Sequence, residues 1–142
     1  MTCYTIIEDS YKWLPPYGEN SIEFYSKGSD VILEIHYEEE MDDGTFIDKR
    51  KDYTFKHCVS FNIISFPGVG NSVYGQDCDS SKESLPLDSL FKFNHSILAR
   101  EWTKHFNFLF ELYNFCQIFT TENKMVDVVC ESVSISDEII VH

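Results

Sequence analysis

Hydrophobic and polar residues alternate along the first half of the chain, a pattern that predicts β-strands. The clearest run is 31–37, where Val31, Leu33, Ile35 and Tyr37 share one face of an extended chain. Strands are also predicted at 22–25, which is short and β-prone, at 45–55, where Tyr53 and Phe55 share one face, and at 59–66, which alternates. Four strands are therefore predicted before residue 67.

Turn-forming residues separate these runs. Lys27-Gly28-Ser29-Asp30 and Asp42-Asp43-Gly44 both suit tight hairpin turns, because glycine accepts the positive φ that such turns need. Pro67-Gly68-Val69-Gly70 ends the fourth run. Because short turns join neighbouring strands, the first half is predicted to be an antiparallel meander.

A helical period replaces the alternation after residue 95. Ser96 is a good N-cap, and apolar residues then recur at helical spacing. These residues, predicted to face the core, are Leu98, Trp102, Phe106 and Leu109. One principal helix is therefore predicted near residues 96–109.

Two further strands are predicted after the helix, at 112–120 and 125–135. The order of elements indicates an α+β fold, mainly antiparallel sheet of about six or more strands with the one helix. The length of 142 residues is that of one ordinary domain, so 1–142 is expected to form a single globular domain. The polar stretch 75–88 is predicted to be a surface loop, long enough for a functional contact.

The cysteines favour a reducing compartment. Five are present, an odd number with no CxxC pair, and we expect free, mostly buried thiols in the cytoplasm. The N-terminal residues show no signal-peptide pattern, and no apolar run approaches the length of a membrane span. Neither secretion nor membrane insertion is expected.

The charge balance restricts the partners. The chain has 24 acidic residues against 11 Lys and Arg, a formal net charge of −13. Such a field repels nucleic acid and anionic membranes and attracts basic proteins. Direct nucleic-acid binding is therefore not expected.

Motifs of catalysis or cofactor binding do not stand out. There is no GxSxG elbow, no GxGxxG with a following helical pattern and no GxxxxGK[ST] loop. His57 and Cys58 are adjacent in a predicted strand, so they point to opposite faces and do not form a dyad together. Asp42-Asp43-Gly44 lacks the remaining ligands of an EF-hand. No catalytic residue, metal site or cofactor is predicted.

An acidic run around the Asp-Gly turn is the feature of the sequence that most clearly indicates a function. It predicts a partner-binding surface made of Glu38, Glu39, Glu40, Asp42, Asp43 and Asp48. The alternative is a solvated hairpin tip that prevents edge-to-edge aggregation. A second acidic zone, formed by Asp77, Asp79, Glu83 and Asp88, could extend the surface.

Two segments of the chain suggest a class of protein: Ser65-Phe66-Pro67-Gly68 and the segment from Ala99 to Phe106 (AREWTKHF). With these segments, the small, acidic α+β domain without a catalytic motif resembles the immunity proteins of bacterial toxin–immunity systems. The resemblance implies a partner that is a basic toxin domain, such as a nuclease, whose cationic active site the acidic residues would occlude. β-Augmentation at an exposed strand edge is a second possible binding mode.

Two other classes of function remain open at this point. One is a nucleic-acid mimic or other acidic interaction module, which needs carboxylates spaced like phosphates along a ridge. The other is a small enzyme without a recognisable motif, which needs a pocket holding a Glu or His with a strongly shifted pKa.

Overall fold

The computed structural model describes residues 3–65 and 85–142. Over these residues the chain forms ten strands in two sheets and one α-helix, which confirms the α+β class and the single principal helix. In chain order the elements are β1 (Tyr4–Asp9), β2 (Ser21–Lys27), β3 (Asp30–Glu40), β4 (Phe46–Lys56), β5 (Ser60–Ser65), β6 (Ser89–Phe93), α1 (Ile97–His105), β7 (Tyr113–Phe119), β8 (Lys124–Cys130), β9 (Ser132–Ile135) and β10 (Ile139–Ile140).

The strands divide into two antiparallel sheets. The first sheet has the order β1-β6-β7-β8-β5. The second has β2-β3-β4 in sequence order, and both β9 and β10 pair with the far edge of β4. The predicted meander is therefore correct for β2, β3 and β4, but wrong for β5, which pairs with β8 in the first sheet.

One hydrophobic core lies between the two sheets, because every second residue of the central strands faces inward. Its buried members are Leu33, Ile35, Tyr53 and Phe55 from the second sheet and Leu90, Phe115, Phe119, Val126, Val128 and Cys130 from the first. The Tyr53 hydroxyl donates to Gln117 Oε1 at 2.9 Å across this core. This bond satisfies polar groups that would otherwise be costly to bury.

The helix covers part of the outer face of the first sheet. Ala99 packs there with Leu112 and Val129, and Trp102 lies half-buried against them, on the core side as predicted. The Ser96 side chain accepts a hydrogen bond from the Ala99 N–H at 3.0 Å, so the predicted N-cap is correct.

The helix ends earlier than the predicted residue 109. Asn107 and Phe108 both have positive φ, so the chain leaves the helical conformation directly after His105 and Phe106. Leu109 is 77% exposed and does not belong to the core, contrary to the prediction. The apolar period of the sequence continues past this point, but the backbone does not.

Other differences concern strands that alternation misses or merges. The predicted strand 125–135 is two strands, β8 and β9, which belong to different sheets. The pattern does not predict β1, β6 or β10. Most of the predicted 75–88 loop lies outside the described residues.

The cysteine prediction is partly wrong. Cys3 is disulfide-bonded, whereas Cys58, Cys116 and Cys130 are free thiols. Because disulfides persist mainly in oxidising environments, the cysteines no longer argue for a reducing compartment. Burial raises the pKa of the Cys58 thiol to about 11, which makes it a poor nucleophile at neutral pH.

Candidate functional site

The outer face of the second sheet, the side turned away from the core, is mainly polar and also carries Ile32 and Phe46. Along β3, Leu33, Ile35 and Tyr37 point into the core, and Glu34, His36 and Glu38 therefore point outward. The pairing of β3 with β4 runs without a bulge from Val31↔Phe55 to Glu40↔Phe46, so the same alternation holds on β4. The described helix packs on the other sheet and does not cover this face.

We use the term acidic face for six carboxylates on this surface. They are Glu23, Glu34, Glu38, Glu40, Asp48 and Asp52. They come from three adjacent strands, β2, β3 and β4, so the strand pairing fixes their spacing.

The register places several of these carboxylates directly opposite one another. Glu23 is paired with Glu34, Glu34 with Asp52, and Glu38 with Asp48. Like charges directly opposite in an antiparallel pair destabilise a sheet. The fold therefore keeps an arrangement that costs it stability, as functional surfaces often do.

The contiguous bases Lys49-Arg50-Lys51 do little to neutralise the acidic face, because alternation separates them. Arg50 points outward and contacts Asp52, with Nε 3.1 Å from Oδ1. Lys49 and Lys51 lie on the opposite face, where Lys51 Nζ is 3.5 Å from the Glu8 carboxylate. Of these three bases, only the arginine lies among the six carboxylates.

Of the six predicted partner-binding residues, three lie on the acidic face: Glu38, Glu40 and Asp48. Glu39 points to the other side of the sheet and forms an ion pair with Lys49. Glu39 is therefore removed from the predicted surface, because neighbours along a strand face opposite ways.

The two aspartates of the predicted site lie in the turn between β3 and β4. Asp43 accepts hydrogen bonds from the Thr45 N–H at 3.0 Å and the Thr45 hydroxyl at 2.6 Å, which lower the pKa of Asp43. Asp43 thus stabilises the turn, while Asp42 is exposed beside it. The structure does not gather all six residues into one patch.

The predicted partner-binding set did not include Glu23, Glu34 or Asp52. The sequence does indicate that each of the three faces outward, since each occupies a polar position of an alternating strand. Their mutual proximity depends on strand register, which the sequence does not reveal. In the second acidic zone, Asp77, Asp79 and Glu83 lie outside the described residues, and Asp88 accepts hydrogen bonds from Thr120.

Two buried carboxylates bear on the enzyme alternative. Burial raises the pKa of Glu19 and that of Asp127, although hydrogen bonds from the Glu122 backbone and from Asn114, respectively, partly offset the effect. A cavity of about 410 Å³ lies beside Glu19 and one of about 320 Å³ beside Asn114, but neither buried carboxylate lines them. The raised pKa values therefore belong to packed interior groups.

Comparison with known proteins identifies no relative of this chain. No family model, curated protein or solved structure matches the chain. Within the described ranges, no helix has the length and apolar character needed to cross a membrane.

Proposed function

We propose that this chain is an acidic protein-binding domain that acts as an immunity protein. Its partner would be a basic toxin with nuclease activity. The acidic face would cover the cationic active site of the toxin. The observation that carries this proposal is the set of carboxylates paired opposite one another on the outer face of the second sheet, with Arg50 ion-paired to only one of them.

Complementary charge explains why such a surface would be kept. A nuclease active site concentrates positive charge to hold phosphates, and an acidic partner is drawn to it by long-range attraction. Binding would also relieve the repulsion between the opposed carboxylates. The stability lost in the free protein would thus be regained in the complex.

The sheet also supplies a firm scaffold for the carboxylates. Each one is attached to a hydrogen-bonded strand whose inner side packs in the core. Groups held in place before binding lose little conformational entropy when the complex forms.

We propose the cytoplasm as the place of action, because a nuclease toxin meets its substrate there.

A second candidate function is a nucleic-acid mimic that blocks a DNA- or RNA-binding protein. The spacing along β3 favours it, because Glu38 and Glu40 are two residues apart and so about 7 Å apart along the strand. Glu34 continues the row after the interruption at His36. This spacing is of the same order as that between successive phosphates of a nucleic-acid strand.

The test compares two variants of equal net charge. Glu38→Gln with Asp48→Asn neutralises the acidic face, whereas Glu101→Gln with Glu111→Gln removes two exposed acids elsewhere. Immobilised wild type and both variants are incubated with lysate of the source cell at about 0.05 M and about 0.5 M salt, since salt screens exposed charges. Proteins retained are identified by mass spectrometry and assayed for nuclease activity.

We expect the wild type and the control variant to retain a basic nuclease and inhibit it, and the face variant to lose both properties. Retention of a non-nucleolytic DNA- or RNA-binding protein, displaced by nucleic acid, would favour the mimic instead. If the two variants behave alike, the acidic face is not the binding surface.

A further inference from the structure

We propose that Glu23, Glu34 and His36 form a binding site for one divalent transition-metal ion such as Zn²⁺. One ligand atom from each side chain lies within 4.8 Å of the other two. His36 Nε2 is 3.0 Å from Glu34 Oε1 and 3.7 Å from Glu23 Oε2. The site shares Glu23 and Glu34 with the acidic face, but metal binding can be tested without a protein partner and so goes beyond the proposed function.

The separations agree with the geometry of a tetrahedral site. Zn²⁺ binds imidazole nitrogen and carboxylate oxygen at about 2.1 Å, so two ligand atoms of a tetrahedron are about 3.4 Å apart. The two distances from His36 Nε2 lie on either side of this value.

The backbone holds the three ligands in place. Glu23 and Glu34 are a directly opposed pair of β2 and β3. His36 lies two residues further along β3, opposite Ser21 of β2. All three side chains are on the outer side of the sheet. Ligands carried on paired strands are positioned more firmly than ligands carried on a loop.

The donor set favours a transition metal over Ca²⁺ or Mg²⁺. The latter prefer cages of oxygen atoms, whereas one imidazole and two carboxylates suit zinc and its neighbours in the first transition row. Three protein ligands leave the fourth tetrahedral position open, as in catalytic zinc sites. Water or a donor from a second molecule would occupy this position.

The register places Arg50 directly opposite His36 on the same face, so one positive charge lies beside the site. In the two described stretches of the chain, no lysine or arginine forms an ion pair with Glu23 or Glu34, and Arg50 contacts Asp52 instead. The Glu34 and His36 side chains are 15% and 23% exposed, so water screens them incompletely. Glu23 is 67% exposed, which gives the ion a route from solvent.

Contacts of His36 with the two glutamates in the absence of a metal are the competing explanation for the same geometry. The two explanations differ in their response to added metal, because only coordination changes the surroundings of the imidazole ring. Zinc should therefore shift the His36 ring signals in NMR spectra at about pH 7.5.

The direct test is calorimetric titration of chelator-treated, full-length protein with Zn²⁺, and separately with Mg²⁺ and Ca²⁺. We expect one saturable Zn²⁺ site and no comparable heat from Mg²⁺ or Ca²⁺. His36→Ala and Glu34→Gln should each weaken binding at least about tenfold, since even outer-shell changes can cost that much. Circular dichroism checks that each variant is folded.

Matched controls separate this site from loose surface binding. Glu101→Gln removes an exposed carboxylate on α1, and His105→Ala removes an exposed histidine on the same helix. Both should bind Zn²⁺ within about twofold of the wild type. Absence of a saturable site, loss of affinity equal in the controls and the site variants, or His36 signals that do not respond to Zn²⁺ would each overturn the proposal.

Discussion

At the residue scale, Glu19 is an unusual interior group. Its side chain is only 1% exposed, and its Oε1 accepts a hydrogen bond from the Glu122 N–H at 2.9 Å. Its Oε2 is buried without a hydrogen-bond partner. Burial therefore raises the pKa of Glu19, so the folded state holds the proton more tightly than the unfolded state does.

This pKa shift predicts a pH-dependent effect of Glu19→Gln. Wild-type stability should fall as the pH rises from the ordinary carboxyl value through the raised one, because the buried group then ionises. Glutamine keeps the acceptor for Glu122 and carries no charge. The variant does not undergo this ionisation, so its stability relative to the wild type should rise as the pH increases from about 4 to about 7.

Urea unfolding of both proteins at about pH 4 and about pH 7 measures this difference. The relative stability of the variant should be smaller at the lower pH, where wild-type Glu19 is closer to being fully protonated. A difference in free energy that stays constant between the two pH values would show that Glu19 ionisation does not affect stability.

Gly18 is constrained both by its backbone and by its surroundings. Its φ is +81°, and a Cβ placed there would lie 2.2 Å from Thr121 Oγ1. Gly18→Ala should lower the free energy of unfolding by about 3 kcal/mol, from left-handed strain and steric overlap together. Chemical denaturation measures the loss.

Gly28 provides the control for Gly18. Its φ is also positive, but nothing lies within 4 Å of the position that a Cβ would occupy there. Gly28→Ala should cost about 1 kcal/mol, from the backbone alone. Thr121→Ala combined with Gly18→Ala should recover part of the larger loss, and equal losses at Gly18 and Gly28 would argue against a steric role for Thr121.

At the scale of elements, the pairing of β3 with β4 sets the electrostatics of the acidic face. Glu38 is directly opposite Asp48. Asp48→Lys turns this repulsion into attraction and should stabilise the protein by about 0.5 kcal/mol. The measurement is the free energy of unfolding at low ionic strength.

A charge-swap cycle tests whether the effect is pairwise. Glu38→Lys alone should stabilise as Asp48→Lys does, whereas the double variant restores repulsion and should lose the gain. If the two single gains simply add in the double variant, the effect comes from total charge and not from the cross-strand contact.

The sequence predicts the elements with clear local signals. Alternation predicts β3 and β4, the Asp-Gly turn joins them, and the hydroxyl of Ser96 caps the helix as expected. The alternation of β5 is equally clear but does not say which strand it pairs with. Pairing of β5 with β8 depends on contacts between residues distant in the chain, which local patterns do not encode.

For the candidate site, too, the sequence predicts which residues share a face of one strand but not which strands lie side by side. The acidic run is visible in the sequence, and Glu38, Glu40 and Asp48 do lie on one face. Alternation alone is sufficient to place Glu39 on the other side, so the sequence already held the information that separates it from its neighbours. The inclusion of Glu23 needs the register between β2 and β3, which only the folded structure provides.

At the scale of the whole molecule, the net charge of −13 should make stability depend on salt. Raising the ionic strength from about 0.01 M to about 0.1 M shortens the Debye length from about 30 Å to about 10 Å and weakens the self-repulsion of the folded state. We expect a gain of about 1 kcal/mol, or a few degrees in Tm.

Thermal unfolding at the two ionic strengths measures this gain. The face variant, Glu38→Gln with Asp48→Asn, should show a smaller salt response than the wild type, because two of its opposed charges are gone. A Tm that is independent of salt in both proteins would mean that repulsion does not limit the stability of the fold.

The edge of β4 has a consequence for how the protein is made. The strands that complete this edge, β9 and β10, follow β4 by more than seventy residues. At about 5–20 residues per second a ribosome needs about 4–15 s to cover that distance, and during this time β4 has an unpaired edge. Nascent chains could join there, edge to edge. Recombinant yield should therefore depend more on translation rate and growth temperature than on the stability of the finished fold.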